Sequence, residues 1–103
     1  MKKGNPNKCW YCGQEEECTK EHFYPKSQGG NIIVYACRIC QAAKGDLMPD
    51  EFVMYMNQHI LIKDEKKERI STAVFSLMAQ TRDQYLKIKT KSHEDNFGEL
   101  FTI

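Results

Sequence analysis

Residues 8–45 read KCWYCGQEEECTKEHFYPKSQGGNIIVYACRICQAAKG, and the two Cys-x-x-Cys pairs in this stretch, Cys9/Cys12 and Cys37/Cys40, decide the fold. Two thiolates at this spacing bite one ion from a tight turn, and a second such pair closes a tetrahedron around Zn²⁺. Gly13 directly after Cys12 lets the backbone fold back under the metal. The 24 residues between the pairs exceed the roughly 15–20 of the common zinc-ribbon template. Two disulfides are the competing reading, and they need an oxidising compartment. A redox Cys-x-x-Cys is the other, and it seldom comes as a matched pair. Four thiolates saturate the ion, so this zinc is read as structural, with no open position for chemistry. Cys18 is the odd cysteine and reads as a free, buried or half-exposed thiol.

Outward from the cysteines, Ile32-Ile33-Val34-Tyr35 is a β-branched and aromatic run that predicts a strand. Glu21 to Tyr24 is its expected partner, across a loop carrying Pro25, Ser27, Gln28, Gly29 and Gly30. Cys37 to Gly45 reads as a short helix, with Ala42, Ala43 and Lys44 as formers and Gly45 as the stop. Near residue 48 the chain changes character. Pro49 suits a first helical position, and Asp50 and Glu51 suit the positive end of a helix. Phe52, Met56 and Ile60 predict its apolar stripe. A second long helix is expected from Asp64 to about Leu86, with Ile70, Val74, Leu77, Met78, Thr81 and Tyr85 on one face. Lys91 to Gly98 reads as loop, with Phe97, Leu100, Phe101 and Ile103 docking back on the body. Met54, Met56 and Met78 read as core, and His59 and His93 as structural or solvated.

The predicted fold class is therefore α+β: a zinc-stapled finger of knuckle, strand, loop, strand and helix, then two longer helices. The chain is read as a single domain over 1–103, with a core at 8–46 and a helical extension at 49–90. Its 103 residues, 41% hydrophobic and 28% charged, describe an ordinary soluble domain with a small core. No run of about 18 apolar residues predicts a membrane span. The polar segment Met1 to Lys8 is no secretory signal, which makes a reducing cytoplasm the expected location. Net charge is only +1. Residues 1–45 carry seven basic against four acidic residues, a net +3, which leaves −2 for the rest. A second basic cluster lies at Lys87, Lys89 and Lys91. Such patches are compatible with nucleic acid without forming a strongly basic stripe, and solvated surface charge is the plainer reading.

Between the cysteine pairs stand Glu21-His22, then Pro25, Gly29-Gly30 and Asn31, and the closing Cys37-x-x-Cys40 is followed by Gln41 and Lys44. This arrangement, over about residues 8–46, closely resembles the HNH endonucleases in their four-cysteine form, the ββα-metal or His-Me finger nucleases. The resemblance implies that His22 is the general base that takes a proton from the attacking water. It implies that Glu21 is a ligand of a second, catalytic ion, Mg²⁺ or Mn²⁺. Asn31 would be the middle Asn that steadies the loop and orients the His, and Lys44 a helix lysine that contacts phosphate. Gln41 stands where the family usually has Asn or His as second metal ligand, and its amide reaches one methylene further. Asn31 lies six residues before Cys37, where the family pattern has five. The implied activity is hydrolysis of DNA phosphodiesters to 5′-phosphate and 3′-hydroxyl ends.

On their own, these residues have plainer readings: Glu21, Gln41 and Lys44 as solvated surface groups, and Trp10 and Tyr11 as shields of the zinc sulfurs rather than base-stacking rings. Two other functions stay open. One is a zinc-stapled module that binds nucleic acid or a protein without efficient catalysis. The other is a structural subunit whose helices pack on a partner.

Overall fold

The computed structural model describes residues 2–90. Its centre is an antiparallel hairpin of β2 (Cys18–His22) and β3 (Ile33–Cys37), in register from Cys18 opposite Cys37 to His22 opposite Ile33. In β3, Val34 and Ala36 are buried and alternate with half-buried Ile33 and Tyr35, the period of two that a pleated strand imposes. A short strand β1 (Lys2–Lys3) runs parallel to β3 on its other edge, Lys2 beside Ile33 and Lys3 beside Val34. The sheet is thus mixed, in the order β1-β3-β2. β1 was not expected, because two lysines carry no strand signal of their own.

The expected strand at Glu21 to Tyr24 lies earlier in the chain and ends at His22. Phe23 and Tyr24 are consecutive and both fully buried, which a strand with one solvent face does not allow. The Phe23 N–H instead closes the loop onto the Ile32 carbonyl at 2.9 Å. A 3₁₀ turn (Lys26–Gln28) follows Pro25, and Gly29 leaves it with φ of 88°.

Helix α1 (Arg38–Lys44) follows β3 without a break. Cys37 caps it, its sulfur accepting the Cys40 N–H, and Gly45 ends it. In α2 (Pro49–Gln58) the Glu51 carboxylate accepts the Met48 N–H at 2.9 Å, fixing the first turn. Phe52, Val53 and Met56 are buried. Ile60 lies beyond the end of α2 and is 92% exposed, so the expected stripe stops at Met56. Met54 is 62% exposed rather than core, since it stands two residues from both Phe52 and Met56, away from their face.

The long helix expected from Asp64 to Leu86 is two. Helix α3 (Asp64–Gln80) buries Ile70, Val74 and Leu77. At Thr81 the hydroxyl bonds the Leu77 carbonyl at 2.7 Å and the Tyr24 hydroxyl at 2.8 Å. Helix α4 (82–90) then runs on and buries Ile88. The fold is a three-stranded mixed sheet followed by four helices. The expected loop and docking residues from Lys91 onward, and His93, lie outside the described residues. No helix among the described residues is long and apolar enough to cross a membrane.

An aromatic cluster fills the interior. Trp10 meets Phe23 edge-on at 5.8 Å, Phe23 meets Tyr24 at 4.9 Å, and Tyr11 meets Phe52 of α2 at 5.1 Å. Gly30 lets the loop pass beneath this cluster: a Cβ there would lie 1.9 Å from the Tyr24 carbonyl oxygen, whereas one at Gly29 meets nothing within 4 Å. Gly29→Ala should therefore cost only the left-handed backbone penalty, about 1–2 kcal/mol. Gly30→Ala should cost more, because backbone has to move. Urea unfolding of the two variants checks the order.

Candidate functional site

The cysteine pairs meet where the sheet joins α1. Cys9 and Cys12 come from the turn before β2, Cys37 ends β3, and Cys40 lies in the first turns of α1. All four sulfurs lie within 4.8 Å of one another, and Cys9, Cys37 and Cys40 are buried. The Cys12 and Cys37 sulfurs are 3.8 Å apart. A tetrahedron with Zn–S bonds of about 2.3 Å has edges of about 3.8 Å, and a disulfide would need about 2.05 Å. In each pair the later Cys donates its N–H to the earlier sulfur, Cys12 to Cys9 at 3.5 Å and Cys40 to Cys37 at 3.4 Å. Those bonds orient the thiolates as a ligand shell requires. The donor set fits Zn²⁺ and closes it off: this is a small zinc-binding domain.

Hydrogen bonds from the Cys12 and Cys40 side chains pull the Cys9 thiol far down. Burial pushes the Cys37 thiol up to about 12. The Cys12 and Cys9 side chains, with burial, raise Cys40 further. Four thiols at this spacing cannot all ionise unaided, and a dication among them removes the conflict. Cys18 is not part of the group; it is buried, and its thiol donates to the Glu16 carbonyl at 3.2 Å.

A second cluster lies between β2 and α1. The Lys44 ammonium donates to Glu21 Oε1 and to the His22 carbonyl, each at 2.9 Å. The Tyr11 hydroxyl donates to Glu21 Oε2 at 2.6 Å. The Lys44 side chain is 0% exposed and that of Glu21 10%. Neither is the solvated surface group that the isolated residues suggest. Burial raises Glu21 above the usual carboxylate range, against the opposing pull of the Lys44 charge. Burial, then the Glu21 charge, holds Tyr11 well above its ordinary value, so its hydroxyl stays a donor.

Gln41 sits one turn before Lys44 on the same helix. Its amide nitrogen faces the Ala36 carbonyl at 2.9 Å, together with the carbonyl and hydroxyl of Thr19. It therefore clips α1 to both strands of the hairpin. His22 is half-buried, and its imidazole makes no hydrogen bond among the described residues. Asn31 lies in the loop, exposed. Its side chain accepts from Gln84 Nε2 at 3.0 Å, and its N–H reaches Gln84 Oε1 at 3.4 Å. Ile32, next to it, is buried. The structure thus brings Lys44 onto the Glu21 carboxylate and the His22 backbone carbonyl, sets Gln41 against Thr19 and Ala36 instead, and places Asn31 against Gln84 of α4. The Tyr11 contact was not legible from the sequence, where Tyr11 reads as a shield for the zinc. Trp10 lies partly buried against Tyr11 and Phe23, and His59 is half-buried against Tyr55.

Comparison with protein-family models, curated proteins and solved structures finds no match to this chain.

Zinc should be present at one ion per chain and required for folding. Structural zinc contributes about 10–16 kcal/mol of apparent binding energy in small peptides, as much as a whole domain's stability of about 5–15 kcal/mol. Cys37→Ser should give an unfolded or aggregated chain, and elemental analysis of purified protein without zinc would contradict this. The buried pair makes a separate prediction. Lys44→Met strands a buried carboxylate and should cost about 3–5 kcal/mol. Lys44→Met combined with Glu21→Leu should recover most of that loss. Chemical denaturation of both single variants and the double variant checks the coupling, and simple additivity would exclude it.

Proposed function

We propose that the chain is a zinc-stapled ββα-metal domain of the HNH type, an endonuclease acting on phosphodiester bonds of DNA. One observation carries the reading. Residues 21–22 and 41–44, about twenty positions apart, converge at the β2–α1 junction, where Lys44 touches both Glu21 and His22. The four-thiolate cluster stands at the other end of the same helix, where β3 runs into α1. A hairpin followed by a helix and joined to a four-thiolate group supports this reading.

Within this reading His22 takes the proton of the attacking water. Its imidazole is the motif side chain not spent on internal bonds, and the Lys44 bond to its carbonyl fixes its backbone. The family's divalent ion, Mg²⁺ or Mn²⁺, does not fit the crevice as it stands. Both Glu21 oxygens already accept from protein donors, and Gln41 turns its amide nitrogen to the strands. No step is assigned to such an ion. The same saturation favours a second reading, a zinc-stapled module that binds nucleic acid without efficient cleavage.

His22→Ala separates the two. In assays on plasmid and on single-stranded DNA with Mg²⁺ or Mn²⁺, the variant should lose cleavage by about 10²–10⁴-fold, the usual worth of a positioned base. Zinc content and helical circular dichroism should be unchanged, because four thiolates already fill the zinc shell. Wild type and variant equally inactive on every substrate would leave the binding module. A variant that cuts at the wild-type rate would remove His22 from the chemistry.

A further inference from the structure

The inference concerns the other side of the zinc turn and rests on the proposed action on nucleic acid. A groove of about 600 Å³ runs between the N-terminal segment and α3. Lys3, Lys8 and Arg69 line it, with Trp10 in its wall and the hydroxyls of Thr72 and Ser76 along its helical side. No acidic residue lines it, although the chain as a whole holds 14 acidic residues to 15 basic. None of the three cations forms an ion pair among the described residues.

Arg69 is held in place. Its guanidinium packs on the bare backbone of Gly13, where a Cβ would lie 2.1 Å from Nε. The glycine after Cys12 therefore does more than turn the chain under the metal: it leaves the space that the guanidinium fills. Gly4 plays the matching part on the other wall, since a Cβ there would press on Trp10 at 3.2 Å. Beside Lys3, Lys2 carries the same charge to the sheet edge. There a hydrogen bond with the Lys20 side chain, and then its charge, holds the Lys2 ammonium below its ordinary value.

Cations without acids call for a polyanion, and hydroxyl donors suit phosphate oxygens. An indole wall within the same groove adds a surface on which a base can stack. We propose that this groove binds single-stranded nucleic acid, its phosphates held by Lys3, Lys8 and Arg69 and one base stacked on Trp10. Stacking requires an unpaired base, so the groove discriminates against duplex. It also leads toward the β1 edge of the sheet whose other edge strand ends at His22.

Trp10 is the only tryptophan in the chain, which makes the groove its own reporter. The test uses zinc-loaded full-length protein carrying His22→Ala, so that cleavage does not intrude, and a short oligothymidine as probe. Saturation should quench the tryptophan fluorescence. The logarithm of affinity should fall with the logarithm of salt concentration with a slope of about −2, the value for three phosphates neutralised on a single strand. Lys8→Gln and Arg69→Gln should each reduce that slope by about 0.7. Lys26→Gln, in the 3₁₀ turn, should leave it unchanged. Arg69→Gln disturbs a packed contact and Lys8 adjoins Cys9, so zinc content is checked for each variant; the Lys8 side chain itself is exposed. Unchanged slopes in both groove variants, or binding without a change in Trp10 fluorescence, would overturn the proposal. So would polyglutamate competing as well as oligothymidine, because the groove would then be a site for acidic protein. Binding as described with no cleavage by wild type would remove the nuclease and keep the groove. Cleavage of single strands with unaltered KM in the groove variants would do the reverse.

Discussion

Four sulfurs within 4.8 Å of one another are the constraint on which the rest of this structure depends. The segment before β2 is otherwise held by the short β1–β3 pairing, by the Trp10 and Tyr11 rings and by a few backbone bonds, among them Trp10 N–H to the Tyr35 carbonyl at 2.8 Å and Cys18 N–H to the Pro6 carbonyl at 2.8 Å. Each is worth about 1 kcal/mol net, too little to fix a glycine-containing turn against its conformational entropy. Metal ligation supplies an order of magnitude more. It also joins two places that are distant in sequence, the N-terminal turn and the junction where β3 runs into α1.

Tyr11 carries that constraint inward. It lies between two zinc ligands and is itself fully buried. Its ring packs edge-on to Phe52 of α2, and its hydroxyl reaches Glu21. Ordering the zinc turn therefore also orders the second donor to the buried carboxylate and one wall of the helical core. The metal shell, the Glu21–Lys44 pair and α2 share this one side chain. Disturbance of any of the three is felt by the others through packing rather than through long-range charge.

What was legible in the sequence follows how local each signal is. Ligand spacing is a property of four residues, and the cysteine group stood out at once. Pro49, Asp50 and Glu51 marked the start of α2 because helix ends have local chemistry. β1 was not legible, since Lys2 and Lys3 form a strand only by virtue of β3 beside them. The break at Thr81 was hidden inside a continuous apolar pattern. It becomes physical only when Tyr24, far away in sequence, offers its hydroxyl to Thr81. The contents of the β2–α1 crevice were half legible. The motif named Glu21, Gln41 and Lys44, but whether they face solvent, an ion or one another depends on the packing of α1 on the hairpin.

In that packing the two helix residues divide the work. Gln41 ties α1 to the Thr19 and Ala36 carbonyls of the hairpin, and Lys44 neutralises the carboxylate that the strand turns inward. A divalent ion at Glu21 would displace a fully buried ammonium and leave it in a low-dielectric interior, where an unpaired charge costs several kcal/mol. The positive charge that the crevice needs is therefore supplied covalently by α1, and its balance does not vary with the ions in solution. Each Glu21 oxygen accordingly already accepts one hydrogen bond from within the protein. Among the motif residues gathered there, His22 alone keeps a side chain without an internal hydrogen bond, among the described residues. The zinc shell and the Glu21–Lys44 pair hold the strand that carries it, the pair through the Lys44 bond to the His22 carbonyl.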